Sequence, residues 1–261
     1  MALVRCDFFS DVLEVGTSMS VVLPQQTDEQ IGVSASAASP EGPPVLYLLH
    51  GLSDDASAWL RYSAIERHAA ERGLAVVMPQ AGRSFYADEA TGHRYWTFLS
   101  EELPELVGSL FRVSDRREDT FVAGLSMGGY GALKWALRHP DRVAAAASLS
   151  GALDVAGLRS RRTRPEDPRL FDRCFGDREL AGTPDDLLAL VASADVAGLP
   201  ALHVSCGTED ELIGDNRRFV AAAGGAGIPV TAAFGPGAHD WAYWDAVIQD
   251  VLAWLPLRPP G

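Results

Sequence analysis

The chain has 261 residues, 47% of them hydrophobic, which is enough for one large domain with a substantial core. Its formal charge of −13 speaks against nucleic acid and anionic membrane as partners, because both are repelled at long range, and leaves small neutral ligands unaffected. No apolar run approaches the roughly 20 residues that span a bilayer, and residues 1–24 mix Arg5, Asp7, Asp11 and Glu14 among apolar positions, unlike a secretory signal, so a cytoplasmic protein is expected. Cys6, Cys174 and Cys206 lie too far apart in sequence for a disulfide framework or a close-spaced zinc set and read as reduced thiols. The basic residues are nearly all arginine, and Lys134 is the only lysine.

In chain order, Val12 to Val15 and Met19 to Leu23, bounded by Gly16 and Pro24, predict early antiparallel strands. The polar, small-residue stretch 25–44 reads as turn, strand and loop. Val45 to Leu49 is apolar at every position, as a parallel strand covered on both faces must be, and ends at His50-Gly51. A helix over 64–72 stops at Gly73, a strand follows at 75–78 before Pro79, and a second helix is expected over 98–111. Then come a strand at 120–123, a helix over 127–138 stopped by Pro140, and a strand at 144–149 before Ser150-Gly151. This alternation predicts an α/β fold, a doubly wound and mostly parallel sheet with helices on both faces. Between residues 152 and 195 charged residues and prolines crowd together, and the segment reads as a short cap insertion within a single domain spanning 1–261. Within it, Thr183-Pro184-Asp185-Asp186 has the form of a helix start. The cadence resumes with a strand at 201–205, helix 215–223, strand 230–234 and helix 240–255.

Residues 121–131 read Phe-Val-Ala-Gly-Leu-Ser-Met-Gly-Gly-Tyr-Gly, an apolar strand running through Gly124-Leu125-Ser126-Met127-Gly128 into a helix. A serine on so sharp a strand-to-helix turn is held in a strained, outward-pointing conformation, and the flanking glycines let strand and helix pass closely. Its hydroxyl is a weak nucleophile until an imidazole takes its proton and an acid holds that imidazole. In the α/β-hydrolase arrangement that this serine turn resembles, the chain order is serine, acid, histidine. His203 sits in the apolar run Ala201 to Ser205 and reads as a sheet histidine, whereas His239, in the loop Gly235-Pro236-Gly237-Ala238-His239-Asp240-Trp241, reads as the base. The acid is expected in Gly207-Thr208-Glu209-Asp210-Glu211, where spacing alone does not choose among three carboxylates; Asp215 reads as a helix cap. The amides of Leu52, after the tight turn at Gly51, and of Met127, at the helix start, are the candidate oxyanion donors. His50 reads as a brace for its loop.

Together, Leu49-His50-Gly51-Leu52, Phe98 to Pro104, Gly124 to Leu133, Gly207-Thr208-Glu209-Asp210 and His239-Asp240-Trp241 resemble the esterase D group of α/β-hydrolases over nearly the whole chain. The resemblance implies an α/β-hydrolase fold and a catalytic set of Ser126, Asp210 and His239, with Leu52 and Met127 as the oxyanion hole. S-formylglutathione hydrolases of that group usually carry histidines where this chain has Leu125 and Tyr130, so it looks more like the tributyrin-type short-chain carboxylesterases. The expected function is hydrolysis of a small-molecule, short-chain acyl ester through an acyl-serine, without cofactor or metal. An S-formylglutathione-type thioesterase, an acyltransferase and a catalytically silent binding protein are the alternatives, and a homo-oligomer is left open.

Trp59, Tyr86, Trp96 and Trp241, with Phe85, fall in segments that this topology brings towards the carboxyl edge of the sheet, where they either wall a small acyl pocket or simply fill core. Arg159, Arg161, Arg162 and Arg164 read either as a patch for a substrate carboxylate or as a solvated loop with surface ion pairs.

Overall fold

The computed structural model describes residues 1–25, 42–161 and 169–258. It opens with an antiparallel hairpin of β1 (Ala2–Ser10) and β2 (Val15–Leu23). This hairpin differs from the strands expected at Val12 to Val15 and Met19 to Leu23. Val12 to Glu14 form the turn, Gly16 lies inside β2 opposite Phe9, and the first strand is the segment 2–10. Arg5 and Asp7 alternate with Cys6 and Phe8 there, so one face of β1 is wet and no continuous apolar run announces it. Residues 26–41 of the stretch expected as turn, strand and loop lie outside the described residues.

Next come β3 (Val45–Leu49), α1 (Ala58–Tyr62), α2 (Ile65–Glu71) and β4 (Ala75–Pro79). The second expected helix starts three residues early, as α3 (Tyr95–Thr97), and passes through a π turn, Phe98–Glu102, into α4 (Leu103–Leu110). Pro104 has no N–H to donate back, and the wider turn falls immediately before it. Strand β5 (Thr120–Leu125), α5 (Met127–Arg138) and β6 (Ala145–Leu149) follow within two residues of expectation.

Among the described residues between β6 and β7 lie three short α-helices, α6 (Val155–Arg161), α7 (Leu170–Phe175) and α8 (Leu187–Ser193). The last of these starts later than its Thr-Pro signature suggests: Asp186 is the cap, accepting from Leu188 N at 3.0 Å. Thr183 closes the preceding turn by donating to Leu180 O, and Asp185 turns inward to Lys134. The chain finishes with β7 (Ala201–Gly207), α9 (Ile213–Gly225), β8 (Val230–Gly235) and α10 (Trp241–Trp254).

Among the described residues eight strands form one sheet ordered β1-β2-β4-β3-β5-β6-β7-β8, antiparallel at β1/β2 and β2/β4 and parallel throughout the rest. Period-2 alternation divides its side chains between two cores. Tyr47, Leu49, Val122, Ala146 and Val204 meet α4, α5 and α9 on one face. Leu46, Leu48, Phe121, Ala123 and Ala147 meet α2 and α10 on the other. Both faces of the central strands are therefore sealed, and the chain's polar chemistry is pushed to the loops at their carboxyl ends.

Candidate active site

Ser126 joins β5 to α5 with φ +53° and ψ −115°, a sparsely populated region for a residue with a Cβ. The turn is over-determined: Ser126 N donates to Leu149 O at 2.9 Å, and Ser126 O accepts from Ala152 N and Tyr130 N at 3.0 and 3.2 Å. Two glycines make room for it. A Cβ on Gly124 would lie 2.5 Å from the Gly128 carbonyl oxygen, and one on Gly128 would lie 2.4 Å from Leu49 O. The Ser126 hydroxyl faces His239 Nε2 at 3.1 Å.

His239 is carried by the loop between β8 and α10, with Asp240 capping α10 by accepting from Tyr243 N at 2.9 Å. Its Nδ1 lies 2.8 Å from Asp210 Oδ2, and the other Asp210 oxygen accepts from Leu212 N at 2.8 Å. Asp210 is 2% exposed. Burial pushes its carboxyl up, but the His239 hydrogen bond and charge and the Leu212 N–H outweigh that and leave it below the usual carboxylate range. The carboxylate fixes Nδ1 as the protonated nitrogen, so Nε2 is free to accept the serine proton. A hydroxyl, imidazole and buried carboxylate in this order can carry out acyl transfer.

The remaining acids lie elsewhere. Glu209 pins the histidine loop: its carboxylate accepts from Gly237 N, while its own N–H donates to Gly237 O at 3.0 Å. Asp215 is not the cap of α9, whose N-cap is Leu212; it sits buried in the first turn, 3.5 Å from Arg218 Nη1. His203 is a buried sheet residue, its ring 5.1 Å from that of Trp254.

The esterase family model matches residues 20–255. The chain belongs to the esterase family. An acetyl esterase from Caldicellulosiruptor saccharolyticus is 31% identical to it over 264 residues, covering 98% of both chains. Among solved structures, the Staphylococcus aureus serine hydrolase FphF, which binds fluorophosphonates, superposes with TM-score 0.87 at 34% identity, covering 97% of this chain and 98% of its own. The S-formylglutathione hydrolase FrmB from Staphylococcus aureus superposes with TM-score 0.83, also at 34% identity and with the same coverage. The esterase is thus an α/β-hydrolase-type serine hydrolase acting on carboxylic ester bonds.

The loop His50-Gly51-Leu52 of the esterase is braced from three sides. His50, 1% exposed, places Nδ1 2.7 Å from Gly51 O, and its Nε2 accepts from Ala81 N at 3.0 Å. Those partners demand a neutral ring, and burial holds the His50 imidazole below its usual range. Tyr86 donates its hydroxyl to His50 O at 3.0 Å, and Trp59 Nε1 donates to Leu49 O at 3.2 Å. Gly51 itself admits no side chain, since a Cβ there would lie 2.6 Å from Leu125 Cδ1. Leu52 follows, half-buried, and Met127 begins α5, where the first amides have no intrahelical acceptor.

The aromatic residues separate into two groups. Trp59 and Trp241 meet edge to face at 5.1 Å, Trp241 meets Trp244 at 5.4 Å, and Trp244 meets the His239 ring at 4.9 Å and 89°. Trp244 was not singled out in the sequence; its signal is its place three residues after Trp241 on the helix that follows His239. Phe85 donates its N–H to Met127 Sδ at 3.3 Å and packs on Tyr130, Phe171 and Phe175.

Trp96 stands apart. It stacks on His139 at 5.6 Å and lies under Lys134 and Arg138, near the carboxyl end of α5. At about 1.5 Å per helical residue, that is on the order of 12 Å or more from Ser126, so it fills core rather than the acyl pocket. Arg159 is tied to Arg178 O and Gly176 O at 2.9 and 2.7 Å and to Asp172 at 3.3 Å. The side chains of Arg161, Arg162 and Arg164 lie outside the described residues.

Proposed function

We propose that the esterase hydrolyses short-chain acyl esters through an acyl-Ser126 intermediate, with His239 as base and Asp210 as the acid that holds it. His239 Nε2 takes the Ser126 proton as Oγ attacks the ester carbonyl. The oxyanion that forms is stabilised by the Leu52 and Met127 amides, each such donor being worth about 3 to 4 kcal/mol in the transition state. The proton passes from His239 to the departing alcohol; water, deprotonated by the same nitrogen, then attacks the acyl-enzyme and releases the acid and Ser126. The observation that carries this reading is the 3.1 Å and 2.8 Å relay from Ser126 through His239 to Asp210, anchored on a serine at positive φ.

A short acyl group is favoured by the setting of the serine, which is 8% exposed beside Met127, the residue that Phe85 N–H reaches, while Tyr86 and Trp59 bond the backbone of the His50 loop. The acetyl esterase relative points the same way. Residues 152–195 act in this reading as a cap on a single domain, and the enzyme works in the cytoplasm on a small ester. A thioesterase of the S-formylglutathione type is the second reading, favoured by the likeness to FrmB.

Wild type and Ser126→Ala assayed on p-nitrophenyl acetate, butyrate and octanoate, with S-formylglutathione in parallel, test both readings. The expected outcome is fast turnover of the acetate and butyrate, a sharp fall by octanoate, and a loss of about 10⁴ to 10⁶ in kcat in the variant. Turnover confined to the thioester would establish the second reading, and turnover untouched by Ser126→Ala would end both.

A further inference from the structure

Strand β1 is the outermost strand of the sheet, nine residues long, and among the described residues only its β2 side is paired. A long edge of this kind presents a row of backbone donors and acceptors to any strand that matches it. Its side chains are strongly patterned. Leu3, Arg5, Asp7 and Phe9 share the outer face, with Leu3 53% and Phe9 65% exposed and the Arg5 and Asp7 side chains at 73% and 67%. Val4, Cys6 and Phe8 share the opposite face, half-buried against the larger core.

We propose that the β1 edge is a self-association surface: two copies of the chain pair antiparallel through β1, with the two-fold axis at Cys6, to make one continuous sheet of sixteen strands. In an antiparallel pair, directly opposed residues turn their backbone groups either both towards each other or both away, so two copies of one strand related by a two-fold axis meet with some residue facing its own counterpart. Centring on Cys6 sets Arg5 opposite the partner's Asp7 and Asp7 opposite the partner's Arg5. It also sets Leu3 against the partner's Phe9 on the same face, and Val4 against the partner's Phe8 on the other. Every other centre breaks the match. Centring on Arg5 faces that arginine with its own copy and Asp7 with the partner's Leu3; centring on Asp7 does the converse with Phe9. Residues 3–9 are thus matched in apolarity and opposite in charge about Cys6, and the two large apolar residues that β1 leaves in water are the ones this register covers. The partner is a second copy of this chain, because the complement of the edge is the edge itself.

Sedimentation equilibrium across the micromolar range tests this. Wild type should sediment at twice its 27.9 kDa chain mass. Arg5→Asp, which opposes like charges twice, should weaken the dimer at least about tenfold. The charge-swapped Arg5→Asp/Asp7→Arg should restore it, since that pair is complementary only in the Cys6-centred register. Oxidation with copper phenanthroline should link the two copies through Cys6, whose Cα atoms would stand about 4.5 to 5.5 Å apart, within disulfide reach. Cys6→Ser should abolish that link. Circular dichroism and ester turnover of the variants report that the fold persists. A wild type that stays monomeric, a dimer indifferent to Arg5→Asp, or a charge swap that fails to restore association would each overturn the proposal.

Discussion

His239 owes its position to more than its acid. Asp210 fixes one ring edge, Glu209 fixes the Gly237 backbone two residues upstream, and the Trp244 indole lies edge to face with the imidazole at 4.9 Å. A carboxylate sets the tautomer, but only a packed surface stops the ring from swinging about its Cα–Cβ bond. Truncating Trp244 to alanine should therefore lower kcat about 10- to 100-fold with little change in KM, because misplacing a catalytic group by an ångström costs of that order. Trp244→Phe, which keeps an aromatic edge, should recover most of the loss. A KM change without a kcat change would assign the indole to substrate binding instead. Of the candidate site, Ser126 and His239 were legible as residues in the sequence, because one stands in a spaced glycine motif and the other in the loop before the last helix. Asp210 was one of three adjacent carboxylates, and nothing in spacing tells which of Glu209, Asp210 and Glu211 turns inward.

At the level of elements, α5 is locked to the turn before α8 by a buried ion pair. Lys134 Nζ, fully buried, donates to Asp185 Oδ1 at 2.6 Å and to Tyr86 O at 3.0 Å, and Tyr130 donates its hydroxyl to Asp185 O at 2.8 Å. Arg178 bonds the other Asp185 oxygen at 2.5 Å. Tyr86 in turn bonds His50 O, so the pair connects α5 to the loop that carries Leu52. Burial holds the Lys134 amine below its usual range, and the Asp185 charge counters that. The two partners are not equivalent. Asp185→Asn leaves an ammonium in the core with no counter-charge there and should cost about 3 to 5 kcal/mol of stability. Lys134→Met leaves Asp185 still paired to Arg178, itself half-exposed, and should cost less. Urea denaturation of the two variants checks that order, and the reverse order would mean that Arg178 does not hold the carboxylate. None of this was readable from a lone lysine on an alanine-rich helix, since its partner lies 51 residues away on a turn whose own pattern suggested a helix start.

For the whole molecule, buried histidines tie stability to pH. Burial holds His50, His68 and His203 below the usual imidazole range, so the folded chain refuses protons that the unfolded chain accepts. Above pH about 6.5 both states are neutral and the full stability is present; as pH falls through the ordinary histidine value it is lost, at up to about 1.4 kcal/mol per pH unit for a ring as deeply buried as His50. Urea midpoints at pH 7.5 and 5.5 should show the acid sample distinctly weaker. Equal midpoints would mean that these rings protonate in place. His50 adds a local consequence, since a proton on Nε2 would displace the Ala81 N–H and loosen the turn before Leu52.

By itself, the sequence determined the alternating α/β architecture, the esterase family pattern and the serine turn, because these depend on apolar periodicity and on glycines at fixed offsets from Ser126, and both are properties of neighbouring residues. Strand β1, with one wet face, escaped that logic, as did the true start of α8. Only the tertiary structure decided which acid reaches His239, which aromatic side chains gather at its ring and which, like Trp96, lie a helix length away. Those outcomes depend on contacts between residues far apart in the chain, made when two cores close on opposite faces of one sheet and leave its polar groups to meet at the strand ends.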